Sequence, residues 1–129
     1  VVWFLALIYS LFLPLRIDHY LFFVGLMVFV LGSYILAAAT MSFMSTPTDK
    51  LITKGIYQYS RHPMYLATFL ICLGSGIATA SLILIMLSII IVIGLNYESR
   101  IEERYCQKLY GDLYNEYINR VPKWLGIPK

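Results

Sequence analysis

Apolar residues come in long blocks separated by short polar interruptions. Val1 to Leu15 is apolar, with Pro14 near its end. At about 1.5 Å per residue it reaches only about 22 Å, short of a hydrocarbon core of about 30 Å, so it reads as a span trimmed at its start. Arg16-Ile17-Asp18-His19 is a short polar turn, and Tyr20 to Met41 is a full-length span. Gly25, Gly32, Ser33 and the Ala37-Ala38-Ala39 run supply small residues for close helix packing. Ser42 to Ser60 is polar, with Pro47 and Gly55 as breakers.

Pro63 suits the first position of a new helix, where its missing N–H costs nothing. That helix is expected to run to about Gly74, followed by an uncharged small-residue turn over Gly74 to Ser81. Leu82 to Leu95 is again apolar. From Asn96 the helical pattern continues but turns polar, as for a helix leaving the membrane, and Tyr110-Gly111-Asp112 breaks or caps it. Tyr114, Tyr117 and Trp124 are side chains favoured at a membrane interface. The pattern predicts an all-α integral membrane bundle, a single domain over residues 1–129 with about four transmembrane helices. The last two form a short hairpin between Pro63 and Leu95 that extends into a cytoplasmic helix.

Composition agrees. A hydrophobic fraction of 60% with only 13% charged residues, and a mean hydropathy of +0.74, make the bilayer the natural solvent. The net charge of +3 follows from basic residues that flank apolar blocks, so topology accounts for it without a nucleic acid. With four spans, Lys50, Lys54, Arg61, Arg100, Arg104, Lys108, Arg120, Lys123 and Lys129 share one side and only Arg16 lies on the other. The positive-inside bias places both polar clusters and both termini in the cytoplasm. Cys72 lies in an apolar block and Cys106 in a polar helix, which disfavours a disulfide. No basic stretch precedes Val1 and no cleavage site follows Leu13, so the start is a poor signal peptide.

Two polar clusters carry the candidate chemistry. The first, Arg61-His62-Pro63-Met64-Tyr65, sits at a helix start, where free N–H groups and a positive dipole end lie. Taken singly, His62 could be a cap and Arg61 a headgroup anchor. The second is Glu98-Ser99-Arg100-Ile101-Glu102-Glu103. Ile91, Leu95, Glu98, Glu102, Tyr105 and Leu109 fall on one helix face, with Glu103 pointing elsewhere, near Asn96, Ser99 and Gln107. The acidic residues could pair with Arg100, Arg104 or Lys108 on a solvated helix, or serve a site. A hairpin returns the chain to the side it left, so His62 and Glu102 are expected across one pocket. One His and a Glu pair give no zinc spacing, and neither a Gly-rich phosphate loop nor a nucleophile elbow is visible.

Lys54-Gly55-Ile56-Tyr57, Arg61-His62-Pro63-Met64-Tyr65, Glu102-Glu103, Tyr110-Gly111-Asp112 with Tyr114, and Val121-Pro122-Lys123-Trp124 together resemble the isoprenylcysteine carboxyl methyltransferase and phospholipid methyltransferase superfamily of integral membrane enzymes. The resemblance covers Lys50 to Trp124. It implies an S-adenosylmethionine site at the cytoplasmic membrane surface and a lipophilic or lipid-linked methyl acceptor held at the bilayer. Carried over by position, Tyr57, Arg61, His62 and Tyr65 line the cofactor pocket from one side, and Glu102 and Glu103 close it. Glu98 and Arg100, on the turn before the Glu pair, are candidates for the substrate side. The family's isoprenylcysteine enzymes tend to carry basic residues there, whereas Glu98 would repel a carboxylate, so a lipid amine or a thiol stays open as acceptor. A membrane NADPH-dependent sterol or steroid reductase also resembles the Arg-His-Pro block but continues as Asn-Tyr-x-Gly-Glu, which Met64 and Leu66-Ala67-Thr68 do not match. A small transporter or assembly protein is the other alternative, but no span carries a mid-membrane charge.

Overall fold

The structure, a computed structural model, describes residues 4–5, 8–9, 20–47 and 50–127. The described chain is helical without strands: α1 (Tyr20–Met44), a 3-10 turn (Gly55–Gln58), α2 (Pro63–Ala78), α3 (Leu82–Tyr110) and α4 (Asp112–Arg120). Most of the expected first span, and the polar turn after it, lie outside the described residues. Among the described residues two helices, α1 and α3, are long and apolar enough to cross a membrane. The 16 residues of α2 reach about 24 Å, less than a full hydrocarbon core. Thus the helical class holds, while four spans are not established.

Helix α1 is apolar all round, and its outward side chains Phe23, Met27, Val30 and Tyr34 are exposed. A lipid-facing helix has this character. Its inner stripe is Gly25, Gly32, Ile35 and Ala39. A Cβ on Gly25 would collide with the backbone of Ala78, and one on Gly74 would lie 2.5 Å from the backbone nitrogen of Phe29. The two glycines thus let α1 and α2 touch backbone to backbone. This corrects the expected turn at Gly74: the glycine lies inside α2 because close approach, not chain reversal, is what it provides.

Reversal occurs later, at Thr79-Ala80-Ser81. Ala80 takes a left-handed φ of 51°, and the Ser81 hydroxyl caps α3 by accepting from the Leu84 N–H at 3.3 Å. Helix α3 then runs unbroken for 29 residues, about 43 Å, from apolar Leu82 into the polar stretch. Cys72, Leu84 and Ile91 form a buried cluster at the α2–α3 contact, joined by Tyr9, Leu87 and Leu95. Both cysteines are free. Gly111, with φ 59°, ends α3 as expected, since a side chain there would be strained. A second cluster, Tyr114, Tyr117 and Val121, packs against Leu51, Cys106 and Tyr110. This places α4 against the polar loop and overturns the expectation of Tyr114 and Tyr117 as interface anchors.

Candidate functional site

The site begins with the loop that enters α2. Gly55 opens the 3-10 turn at φ 63°, and the chain then passes through a fully buried Ser60. His62 occupies the N-cap position, but its side chain caps nothing. Its backbone N–H donates to the Ser60 hydroxyl at 3.2 Å, and its carbonyl accepts from the Leu66 N–H at 3.1 Å. The imidazole turns toward α3 instead of capping α2. It is buried, at 7% exposure, and stacks on Tyr65 with ring centroids 5.6 Å apart and 4° between planes.

The Glu pair meets this ring. Oε1 of Glu103 lies 3.0 Å from His62 Nε2 and 3.2 Å from Arg61 Nη1. A carboxylate only accepts, so Nε2 carries the proton in the neutral ring and Nδ1 keeps its lone pair. Glu102 stands on the other side, its Oε2 3.8 Å from Nδ1, and its Oε1 accepts from the Tyr65 hydroxyl. Glu103 is largely buried, with 17% of its side chain exposed, against 55% for Glu102. Burial holds the His62 pKa below its ordinary value; the Glu103 hydrogen bond and the two carboxylate charges oppose that, and Arg61 adds to it. Burial likewise raises Tyr57 and Tyr117.

The helix face drawn from spacing is displaced by one residue. Beyond Leu95 the inward stripe follows Ser99, Glu103, Cys106 and Tyr110, so Glu103 is the better buried member of the pair. Glu102 still reaches His62, from the edge of that stripe. Neither residue pairs with Arg100, Arg104 or Lys108 among the described contacts; Arg61 is the cation that Glu103 meets.

A cavity of about 470 Å³ opens between these elements, lined by Tyr57, Arg61, His62, Met64, Tyr65 and Glu102 among others, with Lys50 as a further charged group and Tyr105, Tyr110, Tyr114 and Tyr117 as aromatic ones. Five of the expected cofactor residues therefore share its wall, and Glu103 holds two of them from behind. Glu98 and Arg100 lie outside the lining, both exposed; burial, then Glu102 and to a lesser extent the Glu98 charge raise the pKa of the Tyr65 hydroxyl. Within the cavity wall, Arg61 Nε is buried and has no hydrogen-bond partner among the described residues. A guanidinium with an unsatisfied donor and a half-exposed carboxylate in the wall of one cavity suit a ligand that carries both an anion and a cation.

Sequence reasoning missed the aromatic floor. Tyr110, Tyr114, Tyr117 and Val121 recur at spacings of four, three and four, which marks one inward helix face. The Tyr117 hydroxyl donates to the carbonyl of Tyr57 at 2.7 Å and lies 3.4 Å from that of Ser60, clamping the loop that bears Arg61 and His62. Trp124, read as an interface anchor, packs instead near the His62 ring, with centroids 6.0 Å apart.

Two long apolar helices, and a mainly apolar cavity with a few polar groups where a helix start meets a Glu-Glu helix exit, define a helical protein suited to a membrane and equipped with a ligand site at one end. The profile of the phospholipid methyltransferase family matches residues 17–113, and the chain belongs to that family. It is also similar to protein-S-isoprenylcysteine O-methyltransferase of Schizosaccharomyces pombe (36% identical over 80 residues, 60% of this chain and 33% of the relative). Isoprenylcysteine O-methyltransferase B of Arabidopsis thaliana is 33% identical over 81 residues, 61% of this chain and 40% of the relative. The Dictyostelium discoideum enzyme of the same name is 36% identical over 86 residues, 60% of this chain and 32% of the relative. The chain thus spans roughly a third of the length of these relatives. No solved structure gives a significant match.

Proposed function

We propose that this chain is an S-adenosylmethionine-dependent methyltransferase that acts on a lipophilic or lipid-linked acceptor, with its site at the cytoplasmic face of a membrane. The observation that carries the reading is the presence, in the wall of one cavity, of Arg61, whose Nε has no partner among the described residues, and the half-exposed Glu102 carboxylate. The methyl donor has an amino-acid end with a carboxylate beside an ammonium and a sulfonium, and these two side chains are complementary to it. When bound, the donor supplies an electrophilic methyl group. Arg61 would take the carboxylate, Glu102 the positive groups, and the tyrosines an aromatic wall for the rest. Glu103 keeps Arg61 and His62 in place. A walled cavity favours such a transfer by alignment and by excluding water. The exposed apolar flanks of α1 and α3 would let a greasy acceptor approach from the bilayer.

Family membership and the relatives' names support methyl transfer over the reductase and transporter alternatives. The acceptor class is narrower ground: Glu98 lies outside the cavity lining and does not select it, and the relatives' names point to a prenylcysteine. Calorimetry on the detergent-solubilised protein should detect S-adenosylmethionine binding and no NADPH binding. Transfer of a labelled methyl group should then be compared on a prenylcysteine, a phosphatidylethanolamine and a long-chain thiol. NADPH binding without S-adenosylmethionine binding would refute the assignment. The orientation has its own check: a cysteine placed at Thr79 should react with an impermeant reagent only from the non-cytoplasmic side.

A further inference from the structure

The segment Val121–Gly126 crosses the loop that presents Arg61 and His62. The Arg61 N–H donates to the Pro122 carbonyl at 3.1 Å, and the Gly126 N–H donates to the Tyr59 carbonyl at 3.0 Å. The Ser60 hydroxyl, which receives the His62 N–H, faces the Lys123 carbonyl at 3.4 Å. Lys123 Nζ reaches back to Asn96 Oδ1 on α3 at 3.2 Å and lies 5.4 Å from the Trp124 ring centre. The strap is folded tightly on itself: a Cβ on Gly126 would lie 2.9 Å from Pro122 Cγ. Its bonds thus tie the His62 loop to the helix that carries Glu103.

Trp124 is the strap's aromatic side chain, and it is brought against the imidazole. Tyr65 stacks on His62 at 5.6 Å and Trp124 approaches at 6.0 Å with planes inclined by 51°. An imidazole held only by its Glu103 hydrogen bond could still swing about that bond. Packing by two aromatic rings removes this freedom and keeps water from the ring. We propose that Trp124 is a positioning residue for the candidate site, fixing the His62 ring so that Nε2 meets Glu103 and Nδ1 lies beside Glu102. The charged and titratable groups around that ring are Arg61, Tyr65, Glu102 and Glu103, with Lys123 behind the indole.

The test is made on the full chain in detergent micelles with labelled histidine, and His19, the other histidine, is assigned by His19→Gln. In the unsubstituted protein a cross-peak between the Trp124 indole and the His62 imidazole is expected; its absence would overturn the proposal whether or not any variant folds. Trp124→Ala should shift the His62 ring resonances and move its titration midpoint toward that of a free histidine, as water reaches the ring. Trp124→Phe should restore both. Leu125→Ala, at an exposed neighbouring side chain, should change neither. An unmoved His62 spectrum in Trp124→Ala would sink the proposal. The binding arm rests on the methyltransferase reading: S-adenosylmethionine affinity should fall about tenfold in Trp124→Ala, the effect of one misplaced hydrogen bond, and recover in Trp124→Phe. A protein that binds no S-adenosylmethionine but shows the spectral changes would refute that reading and support the positioning role.

Discussion

Nε2 of His62 lies 3.0 Å from Oε1 of Glu103, across 41 residues of chain. The same oxygen meets Arg61, so one buried carboxylate orients two neighbouring side chains at once. Removing its charge should therefore hurt the fold as well as the site. Glu103→Gln is expected to lower stability by about 3–5 kcal/mol, because Arg61 is left buried without its counter-charge. Chemical unfolding in detergent measures it; a loss under about 1 kcal/mol would place the pair among weak surface bridges.

Glu102 should behave in the opposite way. Its side chain is 55% exposed, so Glu102→Gln should change stability by less than about 1 kcal/mol. Binding of S-adenosylmethionine should weaken by about 1.5–3 kcal/mol, the worth of a charge-assisted hydrogen bond. Calorimetry on the same detergent preparation separates the two effects. An unchanged affinity would remove Glu102 from the ligand site.

His62 makes a pH prediction. Burial lowers its pKa in the fold, while the unfolded chain takes up a proton near its ordinary value of about 6.5. Below that value the unfolded state binds more protons, so stability is full above about pH 6.5 and declines as pH falls toward the lower folded value. Unfolding midpoints between about pH 7.5 and about pH 5.5 should fall for the wild type and fall less for His62→Phe, since this contribution is then missing. Equal slopes would show that the ring is not held neutral.

The glycine contact gives a prediction with an internal control. Gly74→Ala drives a methyl group onto the backbone of α1 and should cost about 1–3 kcal/mol through overpacking. Gly94→Ala adds a methyl where nothing lies within 4 Å, and should be neutral or stabilising by up to about 1 kcal/mol through helix propensity. Thermal unfolding of both variants checks the pair.

Much of this arrangement was legible in the chain. Pro63 after His62 marks a helix start whatever the surroundings, and Gly111 marks a stop, because both act through local backbone geometry. The meeting of His62 with the Glu pair followed from hairpin logic alone. Other features were not local. Gly74 reads as a turn until α1 is laid against it, and its meaning comes from the facing backbone of Phe29. The face of α3 was misjudged past Leu95, because a straight spacing of four and three does not show which residue the loop at His62 will meet. Tyr117 and Trp124 were assigned to the membrane interface, where such side chains are common, although the spacing from Tyr110 to Val121 already marked an inward face. Their partners, the carbonyls of Tyr57 and Ser60 and the ring of His62, belong to a loop without periodicity.

The strap over Ser60 has a consequence for the order in which the molecule is made. Residues 121–126 leave the ribosome after every element they touch. While they are still in the exit tunnel, α1 to α3 can be inserted and paired, but the Arg61 N–H lacks Pro122 and the Tyr59 carbonyl lacks Gly126. A nascent chain halted before Val121 therefore holds its polar loop open to solvent. The site reaches its final form only when synthesis has passed Gly126, so closing the pocket waits on this strap rather than on the pairing of α1 to α3.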